Sequence, residues 1–443
     1  MKKGILLPIF SLPSKYGIGD FGYEAYEFID ILSSNNIDYW EILPINDDIG
    51  SPYSPISYYA LNRNYVSLDK LKEMNLINKP QTKATTPRIV YDNFKEKYYF
   101  EAYNNFKGND EYLEFIKNEE IIKYALFMQE KTNIEKEYFL FLQYILDKQW
   151  NELKEYAHSK NVKIIGDLPI YPDYNSVEVK YYPQYYQLNN DNKMEYVSGA
   201  SPDYFNSEGQ KWGHPLYNFD EMKKNNYEYL IKRYQEFLNK YDLIRIDHFR
   251  AFDTYFKIPV NGSAKEGIYV EGPGKNFFNQ LFKITSSDKF IIEDLGDLRK
   301  ETFELKDYYN FKGMKIIQYT LNPKEKKDEY NDVENMVIYT GNHDNNTIVG
   351  WYNSISKLDQ INIKEFLKEQ NCYDEDIHIS FIKYILKSKA DLAIIPVQDI
   401  IGLDENSRVN LPGTVDNSNW SWQLKNFEEF KNNITILNET IKQ

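Results

Sequence analysis

Residues Asp242–Phe249 read DLIRIDHF, a short apolar run that ends in charged side chains. The same pattern recurs at Lys289–Gly296 (KFIIEDLG) and Asn335–Asp344 (NMVIYTGNHD). Such runs are typical of strands buried in a parallel sheet. In a parallel barrel, the carboxyl ends of the strands meet at one mouth, where active sites form. The three runs therefore predict a mouth that gathers at least one carboxylate from each.

Five further apolar runs alternate with amphipathic segments, as parallel β/α units require. Together the runs make eight, the number of strands in a closed (β/α)8 barrel. We therefore expect an α/β protein, a single (β/α)8 TIM barrel over residues 1–443. The predicted strands are Gly4–Phe10, Tyr39–Ile45, Val162–Ile170, Leu243–Phe249, Phe290–Leu295, Met314–Tyr319, Met336–Thr340 and Leu392–Val397.

Two connections between predicted strands are too long for simple crossovers. Residues 62–160 include a long helical pattern and predict a helical insertion subdomain. Residues 171–242 are polar and partly irregular, and they predict an insertion that flanks the active-site mouth. Long irregular connections in a compact protein are usually functional.

Composition narrows the possible partners. The formal net charge of −14 argues against nucleic acid or an anionic membrane, because both require a basic surface. The single cysteine, Cys372, permits no intramolecular disulfide and no Cys-based zinc cluster. The sequence has no apolar stretch of about 18 residues, and Pro8 and Pro13 interrupt the apolar N-terminal run. We expect a cytoplasmic protein with a neutral substrate.

The charged ends of the three runs suit glycosidic chemistry, which uses paired carboxylates. Arg245 and Asp247 share one strand face, so Arg245 is expected to keep Asp247 ionised, as a nucleophile must be. Ionised neighbours are expected to raise the pKa of Glu293, which suits a general acid. His343 and Asp344 could orient sugar hydroxyls, and we predict no metal or cofactor. Alone, Arg245 with Asp247 also fits a structural ion pair, Glu293 a helix N-cap carboxylate, and the pair of His343 and Asp344 a metal site.

An ordered series of motifs resembles the 4-α-glucanotransferases called amylomaltases or disproportionating enzymes, glycoside hydrolase family 77 of the α-amylase superfamily. The resemblance runs nearly end to end. Its motifs are SLPSKYGIGDFG (Ser11–Gly22), SPYSPIS (Ser51–Ser57), GDLPIY (Gly166–Tyr171), SPDYFNSEGQKWG (Ser201–Gly213), RIDHFR, IIEDLG, GMKIIQY, GNHDNNT, GLDENSRVNLPGT (Gly402–Thr414) and NWSW (Asn419–Trp422).

The resemblance implies helical and irregular insertions around the C-terminal mouth, no separate C-terminal β-domain, and retaining transfer at α-1,4 glucosidic bonds. By motif, Asp247 resembles the nucleophile, Glu293 the acid/base and Asp344 the transition-state stabiliser. The implied partners are maltooligosaccharides and α-1,4-glucans, with no prediction of oligomeric state. Further residues expected to bind or support the glucan are Arg245, His248, His343, Asp167, Ser57, Gln210, Trp212 and Asn410.

The chain departs from the family pattern in loops, which bears on acceptor binding and chain-length preference. The departures are Ser54-Pro55, Lys180, His214 and Gln423. Separately, the Gly- and Pro-rich segment Ala251–Gly274 is expected to form a lid that favours transfer over hydrolysis. Its expected covers are Tyr255, Phe256 and Tyr269.

Two alternatives remain open. An amylase-like retaining hydrolase could use the same residues, and its product pattern would distinguish it. An inactive glucan-binding protein is the other, and the intact Asp247, Glu293 and Asp344 argue against it.

Overall fold

Eight parallel strands form the central sheet of the computed structural model, which describes residues 1–83, 94–202, 207–329 and 332–439. The first strand pairs with the eighth, Gly4 opposite Ile394. A parallel bridge between Ile291 and Lys312 joins the fifth strand to the sixth, so the sheet closes into a barrel. The strands are Lys2–Leu6, Tyr39–Glu41, Lys163–Leu168, Leu243–Ile246, Phe290–Ile292, Gly313–Ile316, Met336–Tyr339 and Leu392–Pro396.

The predicted barrel and all eight strand positions are confirmed, but each strand ends earlier than predicted. The first ends at Leu6 instead of Phe10, and the fourth at Ile246 instead of Phe249. The backbone leaves the ladder there, and the residues that follow form the mouth.

The barrel interior changes from apolar to charged along the strands. Side chains two residues apart share a strand face. The inward apolar residues include Tyr39, Ile165, Ile291, Val337 and Ile394. The charged residues that follow on the same face are Glu41, Asp167, Arg245 and Glu293. Alternation along each strand therefore places the charged layer at the mouth.

Helices surround the barrel. Those outside the long second connection are Tyr23–Ser34, Val177–Tyr181, Phe219–Lys224, Glu228–Lys240, Gly274–Leu281, Lys300–Tyr309, Ile317–Thr320, Ile348–Ser354, Lys357–Glu369, Ile377–Leu386, Val397–Ile401, Glu428–Asn433 and Ile436–Glu439. In the described part of the chain after the eighth strand there are helices and turns but no strand. Within the same described residues, no helix is long and apolar enough to span a membrane.

The connection between the second and third strands is helical. Its helices are Leu68–Glu73, Glu96–Asn105, Asp110–Phe115, Glu119–Thr132 and Lys136–Ser159. The last two are separated at Asn133, whose left-handed backbone (φ 59°) ends the first of them. The long helix Lys136–Ser159 also packs against the third barrel strand. The interpretation of residues 62–160 as a subdomain stays a prediction, as does that of 171–242 as a mouth insertion.

A second, four-stranded antiparallel sheet forms from the segments that follow the third and fourth barrel strands. Its strands are, in spatial order, Gln210–Lys211, Tyr196–Ala200, Thr254–Pro259 and Ile268–Glu271. Most of the predicted lid is therefore a β-hairpin, as its alternating aromatic and β-branched residues favour. Tyr255 and Phe256 are buried, whereas Tyr269 is 39% exposed. The role of this segment as a lid stays a prediction. A small hairpin pairs Leu321–Asn322 with Lys327–Asp328.

Candidate active site

One buried guanidinium organises the carboxylates at the mouth. Arg245 Nη1 donates to Asp167 Oδ1 and Oδ2 at 2.8 and 2.7 Å, and to Asp247 Oδ1 at 3.4 Å. Its Nη2 lies 3.1 Å from Glu293 Oε2. The predicted Arg245–Asp247 contact is present, but Asp167 is the nearer partner. A single cation thus joins acids from the third, fourth and fifth barrel strands.

Glu293 is also held by the backbone that follows Asp247. His248 adopts a left-handed conformation (φ 48°) and donates its N–H to Glu293 Oε2 at 2.7 Å. Its ring packs edge-on against Trp212, with ring centroids 4.7 Å apart. Burial lowers the pKa of His248 to about 4, so the imidazole is neutral at pH 7. Trp212 in turn donates to Gln210 Oε1 at 3.0 Å, which links both predicted residues to His248.

The pKa shifts of Asp247 and Glu293 differ from those expected from the sequence. Burial and the neighbouring Glu293 raise the pKa of Asp247. Burial also acts to raise the pKa of Glu293, but Arg245 and the His248 N–H outweigh it and lower that pKa. Both shifts are opposite in direction to those expected from the sequence, because Arg245 Nη2 and the His248 N–H face Glu293.

Asp344 occupies a different electrostatic environment. Asn410 Nδ2 donates to its Oδ1 at 2.6 Å, and His343 Nε2 lies 3.4 Å from its Oδ2. Burial opposes ionisation, but His343 and the hydrogen bond from Asn410 hold the pKa of Asp344 at about 2. The pKa of His343 is raised because Asp344 outweighs its burial. Asp344 is therefore held as an anion at neutral pH.

The structure places further residues beside the predicted site residues that were not predicted from the sequence. Tyr53 donates to Asp167 Oδ2 at 2.6 Å and stacks on His343, with ring centroids 5.1 Å apart. Arg408 Nε donates to the Asn410 carbonyl at 2.6 Å. Tyr319 is 41% exposed. Burial and the nearby Asp344 both raise its pKa. Tyr53 lies within SPYSPIS. An aromatic residue in a Pro-rich loop is therefore the sequence feature that could have indicated it as a site residue.

Ser57 is the predicted site residue that the structure does not bring into the carboxylate cluster. It is fully buried, and its hydroxyl accepts from the N–H groups of Tyr59 and Ala60, both at 3.2 Å. Two family departures also have structural partners: Lys180 pairs with Glu130, and Gln423 Nε2 donates to the Leu12 carbonyl at 2.9 Å. Part of the motif at 201–213, residues 203–206, lies outside the described residues.

Comparisons with known proteins agree over nearly the whole chain. The sequence profile of glycoside hydrolase family 77, described as 4-alpha-glucanotransferase, matches residues 7–137 and 128–429. A 4-alpha-glucanotransferase of Aquifex aeolicus is 33% identical over 463 residues, covering 95% of each chain. One from Clostridium butyricum is 35% identical over 469 residues, covering 94% of this chain and 95% of its own.

Solved structures give the same result. An amylomaltase from Streptococcus agalactiae, solved in complex with acarbose, superposes with a TM-score of 0.92 at 28% identity. The match covers 99% of this chain and 98% of that one. An amylomaltase from Corynebacterium glutamicum shares the fold, with a TM-score of 0.80 at 16% identity over 100% of this chain and 73% of its own. The chain belongs to the 4-α-glucanotransferase family, glycoside hydrolase family 77.

Proposed function

We propose that this protein acts as a 4-α-glucanotransferase that moves a segment of an α-1,4-glucan to the 4-hydroxyl of another glucan or of glucose. The observation that carries the proposal is the attachment of Asp247 and Glu293 to the single guanidinium of Arg245, with Asp344 fixed as a separate anion. Family membership supports the reaction class. A cytoplasmic location stays a prediction.

The spacing of the two carboxyl groups supports retention of anomeric configuration. Asp247 and Glu293 both contact the guanidinium of Arg245, at 3.4 and 3.1 Å. Inverting glycosidases need roughly 6.5–9.5 Å between their carboxyl groups to admit a water, whereas retaining ones use about 5–5.5 Å. The short spacing favours direct attack by one carboxylate, with the other as acid and then base.

In the first step, Asp247 would attack the anomeric carbon while Glu293 protonates the departing glycosidic oxygen, giving a covalent glucosyl-Asp247. This requires a protonated Glu293 and an ionised Asp247, and we infer that the bound sugar favours that state. The Arg245 contact and the His248 N–H would then stabilise Glu293 when it becomes an anion on donating the proton.

In the second step, Glu293 would remove the proton from the 4-hydroxyl of an acceptor, whose oxygen displaces Asp247. Two inversions give net retention. The fixed charge of Asp344 would stabilise the positive charge that develops on the flattened sugar ring. Asn410 and His343 keep that charge in place because both contact the Asp344 carboxylate.

Incubation with maltotriose tests the proposal. A transferase converts it into a ladder of longer and shorter maltooligosaccharides, which chromatography resolves. Release of glucose and maltose without longer products would identify the hydrolase alternative. Binding without any product would identify the glucan-binding alternative.

A further inference from the structure

Trp420 belongs to the NWSW motif, to which neither step above assigns a role. Its backbone is left-handed (φ 60°), a conformation that is an outlier for a bulky side chain and costs free energy. Most other non-glycine residues with a left-handed backbone in this structure are asparagines, which tolerate it. Such strain is concentrated at functional sites. A side chain held at this cost is expected to contribute where it lies.

The Trp420 ring packs against two residues of the site. Its centroid lies 5.7 Å from that of Tyr53 and 6.0 Å from that of His343. Those two rings also stack on each other, with centroids 5.1 Å apart, so the three rings form a triangle. Trp420 is 7% exposed and His343 is 2% exposed. The indole is therefore a buried partner of both rings, and aromatic pairs at such distances are stabilising.

Each of the two partner rings carries a polar contact to a carboxylate. Tyr53 donates its hydroxyl to Asp167 Oδ2 at 2.6 Å, and the same oxygen accepts from Arg245 at 2.7 Å. His343 Nε2 lies 3.4 Å from Asp344 Oδ2. The indole thus contacts one support of the Arg245 cluster and one support of Asp344.

The backbone of Trp420 is tied to the loop that carries Asn410. Trp420 donates its N–H to the Val409 carbonyl at 2.7 Å, and Asn410 donates its own N–H to the His343 carbonyl at 3.1 Å. Asn410 also donates its side-chain amide to Asp344. These bonds join the segment at Trp420 to His343 through the backbone as well as through the rings, and they hold the left-handed residue in place.

We propose that Trp420 is a positioning residue for the transfer reaction, whose ring holds Tyr53 and His343 in the orientation from which they contact Asp167 and Asp344. The inference rests on the proposed function, because it assigns a consequence to the placement of those carboxylates. Groups that stabilise a transition state act only when they are held in place, and a small misplacement can lower the rate up to about a hundredfold. Loss of the ring should therefore slow glucosyl transfer more than it weakens glucan binding.

Trp420→Ala and Trp420→Gly test the role of the ring separately from stability. Both remove the indole, but only glycine accepts the left-handed backbone without strain. Trp420→Gly should therefore have the higher Tm of the two, whereas both should lose about tenfold or more of kcat for maltotriose. The change in KM should be smaller than the change in kcat. A purely structural role predicts instead that kcat recovers with Tm.

Trp420→Phe and Trp420→Leu test whether an aromatic ring is needed. Both keep the backbone strain and fill much of the same space, but only phenylalanine can stack on Tyr53 and His343. Trp420→Phe should keep most of the wild-type kcat, and Trp420→Leu should be slower than Trp420→Phe by about threefold or more. This pair tests the proposal even if the two smaller side chains prevent folding.

Phe430→Leu is the matched control. Phe430 is fully buried in the helix Glu428–Asn433 and stacks on Phe28, with ring centroids 5.4 Å apart. Its replacement removes a stacked ring from the same part of the chain, but from a contact with the helix Tyr23–Ser34. It should lower Tm and leave kcat unchanged.

The outcomes separate the two proposals. A wild-type protein that makes no longer oligosaccharides would overturn the proposed function, and the positioning role with it. With an active wild type, a folded Trp420→Gly or Trp420→Leu that keeps the wild-type kcat would overturn only the positioning role. A rise in KM at unchanged kcat would also overturn it, since Trp420 would then contribute to ground-state binding. A Trp420→Phe variant no faster than Trp420→Leu would overturn it as well.

Discussion

Arg245 Nη2 lies 3.1 Å from Glu293 Oε2, closer than the 3.4 Å between Arg245 Nη1 and Asp247 Oδ1. The guanidinium therefore favours the ionised form of Glu293 more strongly than that of Asp247, and the pKa of Glu293 is lowered while that of Asp247 is raised. A retaining reaction needs the opposite preference at the moment of attack, with Asp247 ionised and Glu293 protonated.

Asp247→Asn should reduce transfer at least about a hundredfold, because an amide cannot form the covalent intermediate. The fold should persist, since the amide has nearly the shape of the carboxyl group that it replaces. Initial rates with maltotriose and a thermal melt at pH 7 measure both effects. Replacement of the exposed Asp288 by Asn is the control, and a variant with more than a hundredth of wild-type activity would contradict the nucleophile assignment.

Glu293→Gln should affect substrates according to their leaving group. A glycosidic oxygen needs a proton to depart, whereas fluoride departs with little help. The variant should lose maltotriose turnover but keep part of its first step with α-glucosyl fluoride. Fluoride release measures that step. Equal losses with both substrates would rule out Glu293 as the acid.

Asn410→Ala should raise the pKa of Asp344, because it removes the 2.6 Å hydrogen bond to the carboxylate. The folded pKa of about 2 lies below the ordinary 3.8, so the stabilisation exists above about pH 4 and disappears as pH falls through 2. The Tm difference between wild type and variant should therefore be larger at pH 6 than at pH 2.5. The exposed Asn406→Ala serves as control, and a constant difference would mean that Asn410 does not stabilise the charge.

Tyr269→Ala should raise the hydrolysed fraction of the products. Tyr269 hydrogen-bonds to the Ser201 hydroxyl at 2.6 Å, and the guanidinium of Arg250 lies 4.0 Å from its ring centroid. It therefore joins the hairpin to the segments that carry Ser201 and Arg250, and we expect these contacts to help exclude water. Ile268→Ala is the matched control, because the adjacent side chain is exposed but points to the other sheet face. An unchanged ratio of transfer to hydrolysis in Tyr269→Ala would contradict a role for Tyr269 in the lid.

Exhaustive treatment with a chelator should leave the rate of maltotriose disproportionation unchanged. The sequence offers a single cysteine and five histidines, and the described residues contain no group of three or more metal-binding side chains. Rates before and after dialysis against EDTA provide the measurement. A loss that one divalent ion reverses would contradict the expectation.

The fold could be predicted from local patterns, whereas the charge distribution could not. Alternation along DLIRIDHF was enough to place Arg245 and Asp247 on one face. The sequence could not show that Arg245 binds Asp167 more closely or that Nη2 faces Glu293, because these contacts depend on the register between strands. Glu41 and Tyr339, from the second and seventh strands, meet because both side chains point into the barrel interior. A local sequence motif does not reveal such long-range contacts.

The antiparallel sheet at the mouth constrains how this protein can be recombined with its relatives. Tyr196–Ala200 and Thr254–Pro259 pair directly, although they flank opposite ends of the fourth barrel strand. A chimera that exchanged one segment alone would risk a mismatched, unpaired strand edge beside the active site. The two segments must be exchanged together, and Leu243–Ile246 lies between them. The strand that leads to Asp247 must therefore be exchanged together with both segments of the sheet.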